Sequence, residues 1–130
     1  MIKVIVVTPT GEKIKEEVDY LAIQSDDGSR GFLTNHTPLI AKISKGYLRF
    51  TKEDKDIYVG ILQGIFDINN NIATVVSQHA EIGTNYEATM SLIEKLQQEK
   101  LVESRRKMIT FVEAERDLAL AIKEIKASEL

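Results

Sequence analysis

All seven glycines and both prolines of this 130-residue chain lie at or before Gly83. Glycine and proline are the residues that most readily interrupt regular structure. The last third of the chain therefore carries nothing that must stop a helix, whereas the first two thirds are punctuated throughout. The division predicts an all-β sandwich N-terminal domain over residues 1–84 and a C-terminal α-helical domain over residues 85–130. In the first part, Lys3–Val7, Val18–Gln24, Tyr47–Thr51, Ile57–Ile61 and Ile72–Ser77 are rich in Ile, Val, Tyr and Leu. Turn clusters bound them: Thr10-Gly11, Ser25-Asp26-Asp27-Gly28, Glu53-Asp54-Lys55-Asp56 and Asn69-Asn70-Asn71. Short strands separated by turn signals at this spacing fit an antiparallel sandwich or barrel, of which the sandwich is the reading adopted. Gly60 and Gly64 flank Ile61-Leu62-Gln63 and mark bulges or close sheet packing.

In the second part, Thr84-Asn85-Tyr86-Glu87 and Thr110-Phe111-Val112-Glu113 both fit a capping box, with Thr as cap and Glu reaching back. They predict helices over 86–103 and 111–128. Phe111, Ala114, Leu118, Ala121, Ile122 and Ile125 form a stripe at helical spacing, as do Leu92, Ile93 and Leu96, with Leu101 nearby. Two such stripes suit a helical hairpin. The connector Ser104-Arg105-Arg106-Lys107-Met108-Ile109 contains no residue that forces a reversal, and most of it tolerates helix. Both a hairpin and a longer helical arm are open to this segment.

Charge and motif content exclude several functions. Lys and Arg total 17 against 20 Asp and Glu, a formal charge of −3. That balance argues against a dedicated nucleic-acid binder. Without cysteine there is neither a disulfide nor a Cys-based zinc site. No apolar run approaches the roughly 20 residues needed to span a bilayer, and the N-terminus reads as a first strand rather than a signal segment. G-x-S-x-G, the P-loop, G-x-G-x-x-G and H-E-x-x-H are all missing. His36 and His79 stand far apart, and His79 reads as a structural histidine. Asp26-Asp27 and Asp54-Asp56 suit turns, where Asp bonds its own backbone. Arg105-Arg106-Lys107 reads as a solvated charge run able to meet an acidic partner.

One stretch fits neither pattern. Residues 28–39 read G-x-x-G-x-L-x-x-H-x-P-L. The two glycines permit a tight reversal, Pro38 holds Thr37 extended, and His36 between them is expected at a loop tip. The stretch resembles the signature loop of the epsilon subunit of bacterial F-type ATP synthase. Ser44-Lys45-Gly46 matches the short turn that follows the signature. Gly64-Ile65-Phe66-Asp67-Ile68 resembles the family's G-G-F-x-E-V strand, with Gln63 replacing the first glycine, and Val75–Glu81 resembles its closing strand.

The resemblance implies a non-catalytic subunit of the central stalk, coupling ion-driven rotation of the c-ring to ATP synthesis through the gamma subunit. It implies a loop carrying Ser29, Arg30, Asn35, His36 and Pro38 against the c-ring. It also implies helices whose basic residues, Arg105, Arg106, Lys107, Arg116, Lys123 and Lys126, meet the alpha and beta subunits of the catalytic head and restrain ATP hydrolysis. Length and the lack of a transit peptide point to a bacterial protein, peripheral on the cytoplasmic face of the inner membrane and held there only through the complex. Some members bind ATP through an I/L-D-x-x-R-A motif and an upstream Glu. Here Glu81 and Glu87 keep two carboxylates, but Met90 stands where the arginine would be, so no cofactor is expected. The competing readings are an adaptor sandwich with a helical arm in another assembly, and a small enzyme using His36 as base. The second lacks any identifiable nucleophile or orienting carboxylate.

Overall fold

The computed structural model describes the backbone of residues 1–129, and side chains throughout except at 109–111, 121 and 124–129. Seven strands precede one helix: β1 (Ile2–Thr8), β2 (Gly11–Val18), β3 (Tyr20–Ser25), β4 (Gly28–Leu33), β5 (Leu39–Lys52), β6 (Lys55–Asn69), β7 (Ile72–Gly83) and α1 (Tyr86–Glu129). The strands join in one sheet of order β2-β1-β7-β6-β5-β3-β4. Only the β1–β7 pair is parallel.

A sheet of this kind becomes a sandwich by creasing, and the burial pattern locates the crease. Along β5, Ala41 and Ile43 face the core, then Gly46, Leu48 and Phe50. Along β6 the inward residues are Val59 and Ile61, then Gly64, Phe66 and Ile68. Along β7 they are Ala73, Val75 and Ser77, then Ala80. Each strand switches parity once, and the switches share one row, Ser44–Gln63–Gln78, where ladder pairing lapses. Side chains alternate strictly along a strand, so a common parity switch carries three strands together from one layer to the other. Gln63 takes φ 53° there, a left-handed conformation that suits glycine better. The two layers enclose Phe32, Phe66, Leu21, Ile23, Ile43, Leu48 and Ile61, all buried.

The strands-then-helix class expected from the sequence is borne out, with differences in detail. Residues 18–24 are not one strand: β2 ends at Val18 and β3 begins at Tyr20. β2 itself escapes sequence reading because Glu and Lys crowd an edge strand whose buried anchors are Ile14 and Val18. Ser44-Lys45-Gly46 is the crease inside β5 rather than a turn. A Cβ on Gly46 would drive into the Gln24 carbonyl, so glycine is needed there for close approach.

The helix is capped by Asn85, not Thr84. Asn85 Oδ1 accepts from the Ala88 amide at 3.0 Å, and its carbonyl accepts from the Thr89 amide and hydroxyl. Residues 104–110, read as a connector between two helices, are helical, and a single element replaces the expected 86–103 and 111–128. Its first turns belong to the compact unit Met1–Lys95; a second unit begins at Leu96. Within the first unit, Ile93 and Thr89 lie over Gly60, so close that a Cβ there would collide with Ile93. Leu62, two residues along the same outer face, is also buried and stands apart from the main core cluster. Tyr86 stands edge-on to Tyr47 at 5.2 Å and to Tyr58 at 5.8 Å. The β6 glycines differ in detail from the bulges or close sheet packing expected of them: Gly60 makes room for the helix residue Ile93, and Gly64 adjoins the crease, where pairing lapses without a shift of register. In the second unit, Leu101, Val102, Met108, Val112, Leu118, Leu120 and Ile122 are exposed. Of the expected stripe, Phe111, Ala121 and Ile125 lie outside the described side chains.

Candidate functional site

The G-x-x-G stretch is a strand followed by a turn. Gly28, at φ 113°, closes the two-residue Asp26-Asp27 hairpin. Gly31 is extended within β4, and there a Cβ would meet the ring of Tyr20. The motif's first glycine thus serves backbone freedom and its second serves packing. The reversal comes later, at Thr34–Pro38, with Asn35 at φ 66°.

Three sets of contacts shape this turn. The His36 amide donates to the Leu33 carbonyl at 3.3 Å, and its Nδ1 meets the Thr37 carbonyl at 2.6 Å. The half-buried imidazole stands edge-on to Phe32 at 4.6 Å, and Phe32 packs on Phe66 at 5.2 Å. The Asn35 amide donates to Asn71 Oδ1 at 2.6 Å, while Asn71 Nδ2 donates to Asn35 Oδ1 at 3.1 Å. A distant turn, Asn70-Asn71 between β6 and β7, therefore braces the signature turn. Asn35 and Pro38 are exposed. His36 sits at the turn as the sequence suggests, as an aromatic anchor rather than a free tip.

The other two residues of the expected contact loop lie elsewhere. Ser29 and Arg30 are exposed near the start of β4, opposite Gln24 and Ile23. Ser29 Oγ donates to Gln24 Oε1 at 2.5 Å. Ser29 and Arg30 stand at one end of edge strand β4, and Asn35, His36 and Pro38 at the other. The structure does not gather the five into one loop.

Asp26 does more than a local turn requires. At the crease, the amide of Ser44 has left the ladder, and Asp26 Oδ1 accepts from it at 2.8 Å. Asp26 Oδ2 accepts from the Ser44 hydroxyl at 2.7 Å, and its own amide donates to the Lys42 carbonyl. The Ser44 hydroxyl and amide hold the Asp26 carboxyl below its ordinary 3.8. Beside the next hairpin, Asp56 accepts from the Thr51 hydroxyl at 2.9 Å, a side-chain bond across the β5–β6 pair rather than the bond to its own backbone expected of a turn Asp.

An apolar patch on the outer face of the β5–β6–β7 layer was not anticipated. Ile40, Ile65 and Val76 are 73%, 57% and 59% exposed. Ile65 pairs with Val76, and Val76 with half-buried Val7. The sequence signal was present in adjacent apolar pairs, Leu39-Ile40, Ile65-Phe66 and Val75-Val76, which supply both faces of a strand.

Arg105, Arg106, Lys107, Arg116 and Lys123 are all exposed, while Lys126 lies outside the described side chains. In one continuous helix, at about 100° per residue, Arg105, Arg116 and Lys123 fall on one face and Lys107 on the opposite one. Glu81 sits in β7 opposite Gly60, Glu87 is exposed in the first helical turn, and no hydrogen bond or ion pair joins them. Met90 is half-buried one residue beyond Thr89. Among the described residues, no three His, Asp or Glu side chains converge as a metal site requires. No described helix is long and apolar enough to cross a membrane.

Residues 1–83 match the model of the ATP synthase delta/epsilon chain β-sandwich domain. The chain is 31% identical over 123 residues to an ATP synthase epsilon chain from Desulfitobacterium hafniense, covering 95% of this chain and 92% of that one. It is 27% identical to the epsilon chain of Gloeobacter violaceus, with coverage of 95% and 93%. Its fold resembles a chain in the Euglena gracilis mitochondrial ATP synthase OSCP/F1/c-ring structure, at TM-score 0.57 and 19% identity. That likeness covers 75% of this chain and 64% of that one.

Proposed function

The chain belongs to the delta/epsilon family of ATP synthase subunits, and from that membership we infer that it is a non-catalytic subunit of the central stalk. Its partners are the gamma subunit, the c-ring and the alpha and beta subunits of the head. It joins the membrane through that complex, on the cytoplasmic face in a bacterial cell. The observation that carries the reading is the match of the whole sandwich, residues 1–83, to the family's domain.

The physical task of such a subunit is to pass torque without deforming. A creased sheet whose layers share three long strands suits that task, because the covalent backbone of β5, β6 and β7 runs from one layer into the other and the close-packed core between them resists deformation. The contact with the c-ring runs along the β4 edge, from Pro38, His36 and Asn35 to Arg30 and Ser29. Polar residues there give contacts to the ring's polar loops without a sticky surface. The gamma subunit covers the Ile40–Ile65–Val76 patch, which leaves apolar surface in water only while the chain is alone. Residues 1–84 carry coupling, and residues 85–130 carry regulation. In the regulatory part, Arg105, Arg116 and Lys123 present one basic row to acidic segments of the catalytic subunits and restrain hydrolysis, with Arg106 and Lys107 on other faces. ATP does not hold the helix in place, because Met90 offers no charged donor beside Glu81 and Glu87.

The absence of cysteine makes a direct test simple. With a heterobifunctional reagent that joins a thiol to a neighbouring side chain, a Thr37→Cys subunit, which keeps the His36 imidazole on Phe32, should cross-link to the c-ring in the assembled enzyme, whereas Ile65→Cys should cross-link to gamma. A Thr37→Cys thiol that reacts only with solvent reagents in the intact complex would contradict the ring contact.

A further inference from the structure

We propose that Asn71 is a positioning residue for the ring contact: from the β6–β7 turn it holds the Asn35–Pro38 turn in the shape presented to the c-ring. The proposal rests on the reading that this turn meets the ring. After Leu33 the chain leaves the β4 ladder and rejoins a strand only at Leu39. Between these points the Asn35 amide has one acceptor, Asn71 Oδ1 at 2.6 Å, and Asn71 Nδ2 returns a second bond to Asn35 Oδ1 at 3.1 Å. The paired residues lie 36 positions apart, so the clamp is tertiary and not part of either turn's own geometry.

Asn71 is itself fixed. With Asn70 it fills a two-residue hairpin between Asn69 and Ile72, and both adopt positive φ, 50° and 62°, as a type I′ turn demands. Its carbonyl accepts from the Lys3 amide at 2.8 Å, which ties the hairpin to β1. A rigid donor and acceptor pair on a fixed hairpin therefore sets the height of Asn35 from one side, while Phe32 sets that of His36 from beneath. Asparagine suits the post uniquely: it tolerates φ 62° and presents a donor and an acceptor from one amide. Turn formation alone would need only glycine.

That difference supplies the test. Asn71→Gly keeps the hairpin, since glycine accepts positive φ without strain, and removes only the clamp. In the assembled enzyme carrying Thr37→Cys, adding Asn71→Gly should lower the yield of cross-link to the c-ring by about fivefold or more, the low end for release from two hydrogen bonds. Asn71→Asp, which keeps the acceptor for the Asn35 amide but loses the donor, should restore part of that yield. In the isolated chain, Asn71→Gly should speed hydrogen exchange at the Asn35 amide while the amides of Phe32 and Phe66 keep their protection. Unchanged cross-link yield would overturn the positioning role, whatever the exchange at Asn35. If Thr37→Cys alone gives no ring cross-link, the ring contact falls and the proposal with it; faster exchange at Asn35 would then show that the clamp exists without that purpose.

Discussion

Gln63 illustrates how one residue records a fold. The family strand that this segment resembles opens with two glycines, and the chain keeps only the second. The structure places Gln63 at φ 53° on the crease, where a glycine would sit without strain. A left-handed residue other than glycine costs about 1–2 kcal/mol, part of which glycine returns as entropy of the unfolded chain. Gln63→Gly should therefore stabilise the sandwich by up to about 1 kcal/mol, read as a higher urea midpoint; a lower midpoint would mean that contacts of the Gln63 side chain outweigh the strain. Asp26 is the converse case, legible as a turn residue but not as the staple that receives the Ser44 amide, because its partner is 18 positions away. Its folded pKa is lowered, so its stabilisation is complete above 3.8 and is lost as pH falls through the lower folded value. Asp26→Asn should lower the urea midpoint at neutral pH, and the gap to the parent chain should close in acid. A gap independent of pH would contradict this. Met90 supports an equally direct expectation: calorimetry on the isolated chain should show no ATP binding at micromolar concentrations, and micromolar binding would overturn it.

At the scale of elements, local pattern revealed what was locally determined. The strands around Val4, Leu48, Val59 and Val75 announce themselves by β-branched and aromatic content. β4 did not, since Gly28-Ser29-Arg30-Gly31 has turn composition and becomes a strand only by pairing with β3 and accommodating the Tyr20 ring. Residues 104–110 show the opposite lesson: nothing there forces a turn, and the structure makes them helical. The helix start is held by packing as well as its cap, as Ile93 is fully buried over Gly60. Ile93→Ala should cost about 3 kcal/mol and loosen the turns from Tyr86 to Lys95. Hydrogen exchange should quicken there first; unaltered protection of those turns would show that the cap alone suffices.

For the whole molecule, the change from strands to helix after Gly83 was legible from glycine and proline alone, yet the compact unit reaches Lys95, with Thr89 and Ile93 packed over Gly60 on the outer face of β6. Periodicity could not show this, since the residues that cover Gly60 lie in the next element. A chain ending at Lys95 should fold, join the stalk and support ATP synthesis. One ending at Asn85 should do the same with a lower unfolding temperature. A folded truncated chain that cannot assemble would place coupling in the helix instead. The apolar patch was hidden for a related reason: whether Ile40 and Val76 face a core or a partner depends on which layer they join. The central claim, that this chain is a stalk subunit, is tested most directly by isolating the tagged protein from its own cells under conditions that preserve complexes, and identifying what accompanies it by mass spectrometry. The account predicts recovery of the gamma subunit with the alpha and beta subunits and the c-ring. Recovery of a different assembly, with those subunits absent, would contradict it and return the chain to the class of adaptor sandwiches.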